Sequence, residues 1–234
     1  MDLAALWDFD DPAGSESRFR AAADAAEGED RAVLMTQVAR ALGLQERFDE
    51  GHAVLDALVA GTAEVEVRIA LERGRLLRSA GDENAALPLF RAAAAGAAEA
   101  NIEGLEMDAL HMIPLCLTGD EQLTATEHAI ERARGAKTDD GRRWLASLLN
   151  NLGMAHADAG EWQRALAAFE EALGERRAQG DADNVFVARW MVAWALRNLG
   201  RTDEAREAQL ALRSDLAAVG KSDRYVDEEL ALLR

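Results

Sequence analysis

Residues 149–172 read LNNLGMAHADAGEWQRALAAFEEA, and this stretch decides the fold. On either side of Gly160 the apolar residues recur at three- and four-residue intervals, the period of an amphipathic helix. Gly160 itself suits a helix that ends in the left-handed conformation, with the next helix starting at once at Glu161. The two helices therefore fold back as an antiparallel pair. Gly153 and Ala165 are small where such a pair crosses closely, and Phe169 fills the groove left beside them. A large residue at Gly153 would push the pair apart.

Reading outward, the arrangement recurs. Arg73-Gly74, Leu77, Ala86, Phe90 and Ala93 repeat it around Gly81, and further turns stand at Gly119-Asp120 and Gly200-Arg201. Successive turn glycines from Gly81 to Gly200 lie 38, 41 and 40 residues apart. A later unit keeps Val192-Ala193, Leu196, Ala205 and Leu212, with Gln209 where the aromatic belongs. The first keeps Met35, Val38-Ala39, Leu42, Leu55 and Leu58, with Phe48 opening its second helix and Gly51 at the small position. Between them, Leu105 to Ala133 has helical spacing but lacks the small and aromatic signature. Pro114 predicts a kink in the first helix of that third unit, and Pro88 a milder bend in the second helix of the unit before it.

The set Leu149, Leu152-Gly153, Ala165, Phe169 and Ala172 resembles the tetratricopeptide repeat, departing from it only at His156, where an aromatic is expected. The resemblance covers residues 30 to 219. The usual unit has about 34 residues, whereas the spacing here is nearer 40. In period alone this is similar to the extended repeats of kinesin light chains and of some bacterial peptide-sensing regulators. The resemblance implies an all-α, right-handed superhelical solenoid of antiparallel helix pairs. We expect an acidic N-terminal segment and leading helix over 1–28 and a repeat array over 29–221. Its units lie near 29–62, 63–100, 101–138, 139–180 and 181–219, and a C-terminal capping helix occupies 222–234.

Composition narrows the function. Across 234 residues the net charge is −17, a field that repels phosphate and argues against nucleic acid. No basic stretch followed by an apolar run opens the chain, and no segment offers roughly 18 uncharged apolar residues. A cytoplasmic location without membrane insertion is the expectation. The single cysteine, Cys116, cannot form an internal disulfide. His52, His111, His128 and His156 lack the second ligand that a helical zinc motif needs, and no phosphate loop or nucleophile elbow is present. No catalytic residue, metal or cofactor is expected.

Stacked helix pairs line a concave face with their first helices. By the repeat register that face carries Thr36, Arg40, Arg68, Leu71, Arg75, Arg78, Ala109, Ile113, Cys116, Asn150, Met154, Trp190, Trp194 and Arg197. Arginines in so acidic a protein suggest attraction for carboxylates, and hence an acidic ligand. The alternative is that they pair with neighbours such as Glu72. Trp190 and Trp194, one turn apart, form an aromatic wall for a peptide or else fill space between repeats. Trp144 and Trp162 read as packing residues. Asn151 stands where chaperone-tail clamps use asparagine, but Ala109, Ile113, Val187 and Met191 replace the polar and basic residues of such a clamp, so none is expected.

The acidic, aromatic stretch Trp7-Asp8-Phe9-Asp10-Asp11 either docks in an arginine-bearing groove, of its own chain or of a second copy, or covers the apolar end of the first repeat. Together these features describe a non-enzymatic scaffold for a protein or peptide, with homodimerisation through a terminal unit open. The rival readings are a peptide-responsive regulator whose superhelix changes on ligand binding, and a structural assembly subunit.

Overall fold

The computed structural model describes residues 2–180 and 182–233, with the backbone alone at 183. Met1, Asp181 and Arg234, which bound three of the expected segments, lie outside the described residues. Every regular element among the described residues is helical. The chain divides into two compact units, one of Met1–Ala125 with Ala136–Gly141 and one of Thr126–Gly135 with Arg142–Arg234.

In the first unit, α1 (Pro12–Asp24) and α2 (Gly28–Leu44) close over Phe19, Ala23, Leu34, Val38 and Leu42. The Asp11 carboxylate accepts from the Gly14 N–H and caps α1, with Pro12 at its first position, where a missing N–H costs nothing. After α2 the chain turns at Glu46, a non-glycine residue at φ 61°, and enters α3 (Phe48–Asp56). The next pair is α4 (Ala63–Ser79) and α5 (Glu83–Glu99), joined at Gly81, where φ is 87°. Leu76 of α4 lies against Gly51 of α3, close enough that a Cβ there would sit 2.8 Å from its methyl group.

α5 runs unbroken through Pro88, its sixth residue, whose missing N–H removes one bond of the ladder, to the Asn84 carbonyl. Asn101, at φ 56°, turns the chain into α6 (Glu103–Met112). Here the expected kink is corrected: the helix ends at Met112, and Pro114–Cys116 continue as a 3-10 turn. Pro114 lacks the N–H that would continue the ladder, and its ring would crowd the carbonyl four residues back. α7 (Gly119–Arg134) follows, its earlier residues belonging to the first unit and its last turns to the second. The short α8 (Asp139–Arg142) is held in the first unit by Glu103, whose carboxylate accepts from the Lys137 and Thr138 N–H groups and the Thr138 hydroxyl.

In the second unit, α9 (Leu145–Asp158) and α10 (Trp162–Gln179) pair across Gly160, whose φ of 75° is the left-handed value expected of it. A Cβ built on Gly153 would lie 2.4 Å from the Phe169 ring, and one on Gly74 would lie 2.6 Å from the Phe90 ring. The small-against-aromatic crossing is thus present in both pairs. α11 (Ala182–Asn198) and α12 (Thr202–Ala218) form the next pair, and α13 (Arg224–Leu232) lies against them.

Candidate functional site

The first helices of successive pairs in the first unit are α2, α4 and α6, and they bring charged side chains together. Arg75 donates to Glu72 at 2.5 Å and to Asp108, so α4 is tied to α6 by an ion pair that is nearly withdrawn from water. Glu72 is 2% exposed, and its Oε2 has no hydrogen-bond partner. Burial alone would raise the Asp108 carboxyl, but Arg75 and Arg40 more than reverse this and hold it below its ordinary value. Arg75 is shifted upward for the matching reason: its burial is outweighed by Asp108 and Glu72. His111 lies in the same field. Burial pushes its pKa down, with Arg75, Arg78 and Arg40 adding to the effect and Asp108 opposing it.

Arg40 differs from the other arginines of this face. Its guanidinium stands 5.4 Å from the centre of the Trp7 ring and 5.6 Å from that of Phe9. The two rings are stacked at 4.8 Å, and the Trp7 indole donates to Gln37 of α2 at 3.2 Å. Arg40 makes no hydrogen bond or ion pair among the described residues. Burial and the neighbouring Arg75 pull its pKa down, while Glu72 and Asp108 oppose that shift. Such a guanidinium keeps N–H donors for an incoming acceptor, and its cation is stabilised through ring faces.

The other arginines of the face are engaged. Arg68 pairs with Glu64 one turn away at 2.8 Å, and Arg78 donates to the Leu115 carbonyl at 3.2 Å. Of the remaining projected positions, Thr36, Leu71 and Ala109 are buried, which removes them from the groove. Ile113 and Cys116 are half-buried, and the Cys116 thiol is raised, chiefly by burial, which makes it a poor nucleophile at neutral pH. Trp7 packs on α1 and α2 against Phe19, while Phe9 stacks on Trp7 and stays 60% exposed; of the acidic residues beside them, Asp11 caps α1 and Asp10 is exposed.

In the second unit Asn150 is half-buried on α9, and Met154 packs against the cluster of Ala157, Ala165, Leu166 and Phe169. Trp190 and Trp194 stack at 5.9 Å. Trp194 also meets Trp162 edge-on at 4.8 Å, while Trp190 meets Tyr225 of α13 at 6.3 Å. Arg197 grips Glu229 of α13 with two bonds, of 2.6 and 3.0 Å. Sequence reasoning missed Asp108, Gln37 and Glu229. The available signal was a carboxylate inside an otherwise apolar helical stretch, as Asp108 is between Met107 and Leu110.

Among the described residues no group of three or more His, Cys, Asp or Glu side chains could hold a metal ion, and no helix is long and apolar enough to cross a membrane.

Residues 144–211 match the family model for the tetratricopeptide repeat. No curated protein matches the sequence. Among solved structures the chain is similar to BtubC from P. vanneervenii, at 16% identity and a TM-score of 0.67, covering 95% of this chain and 94% of that one. It is similar to a Rap protein complexed with competence and sporulation factor, at 14% identity and a TM-score of 0.65, over 95% of this chain and 62% of that one. It is also similar to NprR in complex with its cognate peptide NprX, at 16% identity and a TM-score of 0.56, over 99% of this chain and 69% of that one. These likenesses establish the fold.

Proposed function

Because the fold is that of tetratricopeptide-repeat proteins and residues 144–211 carry the repeat itself, we propose that this chain is a non-enzymatic scaffold that binds a peptide or protein segment on its first-helix faces. Folds of this kind serve in general as binding surfaces, and two of the similar structures hold a peptide or signalling factor. We read the repeat units as 29–62, 63–100, 101–138, 139–180 and 181–219; the packed pairs α2–α3, α4–α5, α9–α10 and α11–α12 support four of these five.

The observation that carries the reading is Arg40. It is the one arginine of the projected face with neither a carboxylate nor a carbonyl partner among the described residues, and it stands beside an aromatic stack and a pre-formed ion-pair network. A ligand carboxylate completes it: the guanidinium donates two parallel N–H bonds, while Trp7 and Phe9 form the wall along which the segment lies. Arg75, locked by Glu72 and Asp108, fixes the floor without competing for the ligand. The chain's charge of −17 opposes a long acidic run, so the ligand presents one carboxylate among neutral or apolar residues.

The test is a random-sequence peptide array probed with the wild-type chain, followed by anisotropy titration of the best peptide. We expect retained peptides to share a carboxylate, and Arg40→Gln to weaken the best of them by at least about tenfold, the scale of losing a charge-assisted pair. Arg91→Gln, at an exposed position on α5, leaves affinity unchanged. Equal binding by Arg40→Gln removes the reading.

A further inference from the structure

α13 packs on α12 and covers the side chains of α11, Trp190 and Arg197, that the register places among the second unit's binding residues. Its contacts have a pattern. Val226 and Leu230 join Leu212, Leu216 and Trp190 in one apolar cluster, and Leu233, just past the helix end, joins the cluster that contains Leu196 and Trp194. Glu229, 5% exposed, receives the bidentate pair from Arg197. These residues stand at i, i+3, i+4 and i+7, one stripe of a helix, with the carboxylate at i+3.

Away from that stripe α13 is open: Leu232 is 66% exposed. A nine-residue helix has little stability of its own and is helical here because α11 and α12 hold it. It also fits imperfectly, since the Trp190 indole N–H beneath it is buried with no acceptor.

We propose that the α11 face formed by Trp190, Trp194 and Arg197 is an exchangeable helix-docking site. α13 is its built-in occupant, displaced by a partner's amphipathic helix with apolar residues at i, i+4 and i+7 and Glu at i+3. Charge complementarity selects the carboxylate, because displacing α13 frees Arg197, which only an acidic helix re-satisfies. The site lies within the second unit and does not rest on the Arg40 reading, so either can fail alone.

The probe is a labelled peptide with the sequence of residues 223–233, titrated by anisotropy into the full-length chain. Tethered α13 competes at an effective concentration on the order of millimolar, so the wild type binds it weakly. In the Val226→Ala/Leu233→Ala chain the competitor is loosened, and peptide affinity rises at least tenfold. Adding Arg197→Glu cancels that gain, a scrambled peptide does not bind, and Leu232→Ala, on the open face, behaves as wild type. If the double variant does not fold, Glu229→Gln, which loosens only the ion pair, decides. The proposal is overturned if the folded loosened chains bind no more tightly than wild type, or if Arg197→Glu leaves binding intact. It is equally overturned if sedimentation shows the loosened chains pairing with one another through exchanged α13, which would make a second copy the occupant.

Discussion

Replacing Gly153 with alanine adds one methyl group at the crossing of α9 and α10. Built on the observed backbone, its carbon falls 2.4 and 2.5 Å from the nearest two Phe169 ring atoms, against an ordinary carbon–carbon contact of about 3.5 to 4 Å. One element must therefore retreat by roughly 1 Å. Phe169 is 0% exposed and packed near Trp194, so the ring has nowhere to turn, and the helices themselves must part. Overpacking of this kind costs about 3 kcal/mol at the upper end, while glycine to alanine within a helix returns about 1 kcal/mol. The net loss is about 2 kcal/mol, a melting shift of about 4 to 8 °C for a chain of this length. Gly174 on α10 is the matched control: nothing lies within 4 Å of its added Cβ, so Gly174→Ala should stabilise by about 1 kcal/mol. Denaturant unfolding followed by circular dichroism separates the two. Combining Gly153→Ala with Phe169→Leu should recover at least about 1 kcal/mol of coupling, because removing the ring edge removes the clash. A Gly153→Ala chain as stable as wild type would refute the reasoning for this pair, and with it the same expectation for Gly74 and Phe90.

Gln209 stands where the aromatic belongs, is 0% exposed, and neither end of its amide has a hydrogen-bond partner; Gln209→Met should raise stability by about 1 to 2 kcal/mol in urea unfolding. Glu103 is held at about 2 by the Thr138 hydroxyl and the Thr138 and Lys137 N–H groups. Its folded value lies below the ordinary 4.5, so its contribution is complete above that pH and disappears as pH falls through about 2. A carboxyl NMR titration with an ordinary midpoint would contradict this. Glu46, exposed and at φ 61°, adopts a conformation that costs a non-glycine residue about 1 kcal/mol, so Glu46→Gly should stabilise by about 0.5 kcal/mol once the looser unfolded chain is allowed for. A melting temperature below wild type would count against it.

The helix pairs were legible wherever glycine marks the turn and a small residue faces an aromatic, because both are local demands of backbone and volume. The turns at Glu46 and Asn101 escaped notice because non-glycine residues occupy the left-handed region there, in helix ends closed by the Arg47 N–H to Leu42 and Ile102 N–H to Ala97 backbone bonds. At Pro114 the sequence marked a disruption, but whether a helix bends or stops depends on what packs beyond it. The arginines were legible as charges and illegible as partners. Arg75 finds Asp108 33 residues away on the first helix of the next unit, and Arg197 finds Glu229 32 residues away on the C-terminal helix α13. No local pattern reveals such a pairing. Leu71 and Ala109 were projected into the groove and are buried, since a shift of one residue along a helix rotates the side chain by about 100°, enough to cross from rim to core.

Glu103 has a consequence for how the chain can be divided. Its carboxylate fastens residues 137 and 138 to the first unit, although the ten residues before Ala136 belong to the second. The polypeptide therefore leaves the first unit, returns to it and leaves again. No single scission yields both units whole: a cut before Thr126 deprives the first of its clasped segment, and a cut after Gly141 carries the last turns of α7 away from the second. A protease, a gene truncation or a recombination breakpoint acting anywhere in this stretch meets the same obstacle. A repeat chain looks modular from its period, but here the period and the separable pieces do not coincide.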